Sequence, residues 1–142
     1  MKREIKYWLI GFLLWIIIDY TSTFCPDTTR WLSLMPRILL FYILIPAIMA
    51  VVIYIFHITG KKLFVATIIE LCIAEILFHN YRLFTFPTIL IMFPVAIVLY
   101  SILTFVPKWI VEKTLKVNAY KVAWLSSVWI LFSAIHIIQG GK

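Results

Sequence analysis

Three of the six acidic residues, Asp19, Glu70 and Glu75, fall inside long apolar runs that contain no Lys or Arg. A carboxylate near the middle of a bilayer costs at least about 2.5 to 3.5 kcal/mol, so each of these must face other helices, carry a proton or hold a partner. His79, His136 and Cys72 lie in the same kind of run. Cys72, Glu75, His79 and Arg82 follow a 3, 4, 3 spacing, which lines one stripe of a helix. Ser126, Ser133 and His136 form a second stripe, and Asp19 shares a face with Ser22 and Thr23. Glu70 is rotated away from the first stripe and is expected to look elsewhere. At a helical rise of about 1.5 Å per residue, Asp19, Glu75, His79 and His136 come within roughly 6 Å of one another in depth. The sequence therefore predicts a polar layer drawn from three helices.

Such a layer suits a proton or a metal cation, with Asp19, Cys72, Glu75, His79 and His136 as the candidate ligands. Pro46 and Pro94 remove N–H groups and free the carbonyls of Tyr42 and Leu90, adding hard oxygen ligands in the same half of the membrane. Two other chemistries compete. Glu75 and His79, with Arg82 near the surface, could simply fix helix packing; or they could serve as general acid and base in an enzyme acting on a lipid or isoprenoid. Haem is disfavoured: His79 and His136 could match in depth, but carboxyl groups are unusual company for a membrane b-type haem. His-Glu-x-x-His, a phosphate-binding Gly loop, a serine nucleophile elbow and zinc-finger spacings are all missing from a chain with four Gly. Any chemistry belongs in or beside the membrane.

The elements that must hold these residues are written in the hydropathy. Of 142 residues, 64% are hydrophobic and 13% charged, and mean hydropathy is +1.05. A soluble domain carries about a quarter charged residues. Here the apolar residues come in membrane-length runs, and the basic ones collect between them. The expected fold is all-α: a polytopic integral membrane helical bundle, one transmembrane domain over residues 1–142, with five spans at about 7–24, 38–58, 63–79, 86–106 and 122–138. Residues 25–37 read as a loop, Thr59-Gly60-Lys61-Lys62 as the stop of the second span, and Pro107-Lys108 as the end of the fourth. The basic stretch from Lys108 to Lys121 reads as a short interfacial helix. Trp8 and Trp15 and the lack of a small-x-small cleavage site mark the N-terminal run as a retained span rather than a signal peptide.

Five spans with the N-terminus in the cytoplasm place nine Lys and Arg inside against four outside, which favours N-in, C-out. A re-entrant hairpin made of spans three and four would leave three full spans and the same location for the C-terminus. The runs ILIPAIM and IMFPVAI around Pro46 and Pro94 suggest a duplicated helical hairpin followed by a fifth helix. Tyr7, Trp8, Trp31, Tyr81, Trp109 and Tyr120 fit an aromatic belt. The charge of +7 is explained by lipid headgroups, and nucleic acid is excluded as a partner. The functional expectation is proton- or metal-cation-coupled transport in the cell membrane, by a homo-oligomer or with other membrane subunits in the lipid bilayer. A non-catalytic structural subunit is the alternative.

Overall fold

The computed structural model of the chain describes residues 1–113 and 119–139, with side chains in the last helix described from residue 127 onward except at 132 and 136. Every regular element among them is helical. Helix α1 spans Arg3–Asp19 and continues without a break into a π-helical turn, Tyr20–Phe24. Helices α2 (Thr28–Tyr54), α3 (Gly60–Leu77), α4 (Ile89–Glu112) and α5 (Ala119–Ile138) follow, with a 3-10 turn at Tyr81–Phe84 between α3 and α4.

The π turn has a local cause. Thr21 and Ser22 turn their hydroxyls back onto the carbonyls of Ile17 and Ile18, at 2.8 and 2.6 Å, and compete with the helical N–H ladder. The Cys25 N–H consequently reaches the carbonyl of Tyr20, five residues back, at 2.8 Å.

Helix ends differ from the sequence expectation wherever a cap outranks hydropathy. Residues 28–37, expected as loop, are helical because the Asp27 carboxylate accepts the Arg30 N–H at 2.9 Å and starts α2 ten residues early. Gly60 does not stop the second span: α2 has already ended at Tyr54, and Gly60, at φ +58°, opens α3. Pro107 does not close the fourth span either. It is fully buried inside α4, which runs on until Lys113 adopts the left-handed conformation, with Lys108 and Glu112 paired at 2.6 Å across the last turn. Residues 108–112 of the expected interfacial helix therefore belong to α4, and residues 114–118 lie outside the described residues.

The four leading helices alternate in direction. Tyr7 at the start of α1, Ile53 at the end of α2 and Leu63 at the start of α3 form one buried cluster, joined by Val111 at the end of α4. Phe24, Trp31 and Leu83 belong to the larger cluster that fills the rest of the bundle. Helix α4 is central, packing on α1, α3 and α5, while α1 lies between α2 and α4.

The outward faces are apolar. Ile5, Leu9, Leu13 and Ile17 make an exposed i, i+4 stripe on α1, and Phe64, Val65, Ile69, Ile73 and Ile76 do the same on α3. Three helices, Arg3–Phe24, Thr28–Tyr54 and Ile89–Glu112, are long and apolar enough to cross a membrane, which marks the chain as a membrane protein. Helix α3 carries Lys61, Lys62, Glu70 and Glu75 in 18 residues and does not meet that description. At about 40 Å, α2 exceeds the hydrocarbon thickness and must tilt or project. Much of the expected aromatic belt is turned inward: Tyr7 and Trp109 are buried, and the Trp8 and Trp31 indoles donate to the Ile43 carbonyl and to the Tyr42 hydroxyl, whereas Tyr81 is exposed and the Tyr120 side chain lies outside the described residues.

Helices α1 and α2 meet most closely at Gly11, where an added Cβ would stand 3.0 Å from the Pro46 Cβ. A proline ring on a helix cannot move aside as a flexible side chain can. Gly11→Ala is therefore expected to lower stability by about 1 kcal/mol despite its better helix propensity, because overpacking costs about 1 to 3 kcal/mol and propensity returns at most about 1. Thermal unfolding in detergent micelles measures it, and a rise in the midpoint would contradict the close approach.

Candidate functional site

Each of the three embedded carboxyl groups meets a hydroxyl from a neighbouring helix. Asp19, the last residue of α1, accepts a hydrogen bond from the Tyr42 hydroxyl of α2 and another from Thr23 at 3.2 Å. Glu75 of α3 accepts from the Tyr100 hydroxyl of α4 at 2.9 Å and from the Asn80 side-chain amide at 2.6 Å. Glu70 accepts from Thr104 of α4 at 3.1 Å, and the Thr104 carbonyl in turn accepts the Tyr7 hydroxyl at 3.2 Å. Donors must come from the protein here, since a buried acceptor left without one costs about 1 to 3 kcal/mol.

The antiparallel register explains the pairings on α3 and α4. Tyr100 and Thr104 are one turn apart on α4, and Glu75 and Glu70 meet them in reverse order. Glu70, expected to look elsewhere, thus faces the same helix as Glu75.

Trp15 stands at the centre. Its ring meets Tyr100 edge-on at 5.3 Å and Tyr42 at 6.3 Å, so one indole packs on both tyrosines that serve Glu75 and Asp19. Trp15, Tyr42 and Tyr100 are 5%, 0% and 5% exposed, which fixes the hydroxyls by packing as well as by bonding. Asp19 and Glu75 are within electrostatic reach of each other. On the far side of Asp19 the π turn presents Thr21, whose hydroxyl accepts the Trp129 indole N–H of α5 at 3.1 Å. Among the described residues the one ion pair is Lys108–Glu112, so none of the three carboxyl groups is paired with a cation from those residues.

The expected ligand set is only partly brought together. Asp19 and Glu75 share the layer. Cys72 packs against the apolar core cluster. His79 leaves the stripe because α3 stops at Leu77 and His79, at φ +56°, occupies the left-handed position just beyond the helix. The N–H groups of His79 and Asn80 close this end onto the carbonyls of Ile76 and Glu75, at 3.0 and 2.9 Å, a Schellman motif. The exposed His79 ring then bonds Tyr81 at 3.1 Å, not Glu75. Arg82, the expected surface partner of Glu75 and His79, forms no ion pair with Glu75. On α5, Ser133 is buried with no partner for its hydroxyl among the described residues, while the side chains of Ser126 and His136 lie outside them. Among the described residues no three His, Cys, Asp or Glu side chains converge as a metal would require.

Sequence reasoning missed Trp15, Tyr42, Tyr100 and Thr104. The signal was present: Tyr42 and Tyr100 sit in mid-helix rather than at span ends, where a phenol hydroxyl needs a buried partner. The expected duplication loses its register as well. Pro46 follows Tyr42 whereas Pro94 precedes Tyr100, so aligning the prolines misaligns the acid–tyrosine pairs.

Comparison with protein families, with curated proteins and with solved structures finds no match to the chain.

The position of His79 gives a direct test. His79→Gly places in the left-handed slot the residue that favours it, and stability is expected to hold or rise by up to about 1 kcal/mol. Loss of more than that in a thermal melt would mean that the imidazole itself holds the helix end.

Proposed function

We propose that the chain is a multi-pass protein of the cell membrane that crosses the bilayer five times, N-terminus in the cytoplasm, and moves protons through Asp19, Glu75 and Glu70. The observation that carries this reading is a set of three carboxyl groups in the helical bundle, all bonded to hydroxyls and, among the described residues, none to a cation. A carboxyl group in apolar surroundings is neutral only when it holds a proton, and intramembrane acids of this kind mark ion pathways and proton relays. The hydroxyl groups of Tyr42, Tyr100 and Thr104 can each pass or hold a proton.

The geometry supports a proton over a metal cation. His79, one of the softer ligands of the expected set, bonds Tyr81 and not Glu75, and among the described residues no three His, Cys, Asp or Glu side chains converge. The enzyme reading also loses its acid–base pair, since Glu75 and His79 take different partners. Orientation follows from the basic residues: Lys2, Arg3, Lys6, Lys61, Lys62, Lys108 and Lys113 lie at one end of the alternating helices. Five helices offer little room for a path, so the working unit is a homo-oligomer or a complex with other membrane subunits.

A second reading is favoured by one specific feature: each embedded carboxyl group is already tied to neighbours, as a packing device would be. In that reading the chain is a structural subunit.

Reconstitution into vesicles with an entrapped pH-sensitive dye separates the two. Under an imposed proton gradient the native chain is expected to dissipate it faster than protein-free vesicles, and Asp19→Asn and Glu75→Gln to fall to the protein-free rate while remaining folded, with unfolding temperatures lowered only modestly. Variants that lower the unfolding temperature, with no flux in the native chain, would establish the structural reading.

A further inference from the structure

Helix α1 turns one face inward along its whole length. Tyr7, Gly11, Trp15 and Ile18 are buried on it at spacings of 4, 4 and 3. Glu4 begins this face one turn before Tyr7, and Asp19 closes the helix at its other end. The neighbouring helices add polar groups at successive heights: Tyr42 on Asp19, Tyr100 on Glu75 and Thr104 on Glu70. The series does not stop at Glu70. The Tyr7 hydroxyl donates to the Thr104 carbonyl at 3.2 Å, and the Tyr7 ring meets Tyr54 of α2 edge-on, with ring centroids 5.8 Å apart. Glu70 and Tyr54 both stand within electrostatic reach of Tyr7, and Glu4 stands within reach of Tyr54. Polar groups thus follow one another from Asp19 at one end of the bundle to Glu4 at the other.

Two of them are not explained by packing. The Tyr54 hydroxyl and Glu4 Oε2 are shielded from water, and neither has a hydrogen-bond partner. A packing device would bond them, since an unpaired buried polar atom costs stability. Glu112 also stands within electrostatic reach of Tyr54, but Lys108 holds it at 2.6 Å. Glu4 forms no ion pair among the described residues, although Lys2, Arg3 and Lys6 adjoin it in sequence. As a whole Glu4 is only partly buried, so it stands between the surrounding water and the interior of the bundle. A carboxyl group placed in this way can load a proton from one side and offer it to the other.

We infer that Glu4 is the mouth of the proton path at the end of the bundle that holds the N-terminus, and that Tyr54 and Tyr7 connect it to Glu70. The inference rests on the proton reading above and deepens it. A proton taken up by Glu4 passes through bridging water to the Tyr54 oxygen, while the Tyr54 O–H releases its own proton towards Tyr7. Tyr7 repeats the exchange towards the Thr104 hydroxyl, beside which the Thr104 carbonyl already holds it, and Thr104 delivers to Glu70. At each hydroxyl one O–H bond forms and one breaks, so each ends neutral as it began. The net change is one proton moved from Glu4 to Glu70.

Proton flux into dye-loaded vesicles by the reconstituted full-length chain tests the route. Glu4→Gln, Tyr54→Phe and Tyr7→Phe are each expected to slow the flux at least about tenfold, less than the roughly hundredfold that a positioned acid–base group contributes, because water partly stands in for the lost group. Tyr54→Phe separates path from packing: the hydroxyl it removes has no bond to lose, so the unfolding temperature is expected to stay level or rise while the flux falls. Glu112→Gln is expected to keep the native flux. Flux that Asp19→Asn abolishes, but that Glu4→Gln and Tyr54→Phe leave at the native rate, overturns the inference and leaves the proton reading in place. A loss in Glu112→Gln equal to that in Glu4→Gln overturns it as well, by moving the mouth to Glu112. A native chain without flux removes the proton reading and the inference with it.

Discussion

A carboxyl group inside an apolar bundle, with no cation beside it, must draw its hydrogen bonds from the helices around it. Here that constraint governs which helices meet and in what register. Asp19 joins α1 to α2 through Tyr42, while Glu75 and Glu70 join α3 to α4 through Tyr100 and Thr104. The Tyr7 hydroxyl on the Thr104 carbonyl ties α1 to α4. Trp15 then closes the arrangement by packing on both tyrosines at once. Dispersion and small-residue contact such as Gly11 against Pro46 bring the helices close, but apolar side chains pack nearly as well in several rotations. The polar pairs select one of them.

The same pairs carry the functional reading. A hydroxyl that donates to a carboxylate can accept from the protonated acid, so these bonds are compatible with either state and need not break when a proton arrives. The π turn after Asp19 widens the end of α1 and turns Thr21 toward Trp129 of α5, linking the acid layer to the last helix. Turns of this kind are frequent at functional sites.

Much of this was legible in the residues, at the level where one physical effect dominates. The apolar runs and the segregation of Lys and Arg announced helices in a membrane, because transfer of charge into lipid is too costly to be hidden by other effects. Asp19, Glu75 and Glu70 stood out for the same reason. Helix ends were not legible: Asp27 as a cap, Pro107 inside a helix and His79 in a left-handed slot are decided by a single hydrogen bond or dihedral angle. The dihedral at His79 alone removes it from a stripe that its spacing predicted. The tyrosine partners were hidden because pairing across helices depends on interhelical register, which a 3.6-residue period within one helix does not contain. Glu70 illustrates this well. Its rotation relative to Glu75 was judged on an isolated helix, whereas the broad face of α4 accepts both through Tyr100 and Thr104.

The claim that carboxyl–tyrosine pairs set the packing is tested most directly by a double-mutant cycle on Glu75 and Tyr100, with Glu75→Gln, Tyr100→Phe and the double variant, measured as reversible unfolding in mixed micelles. The account predicts a coupling of about 1 kcal/mol or more, at the upper end of what hydrogen bonds between membrane helices contribute. Two single effects that simply add, leaving no coupling between the residues, would contradict it.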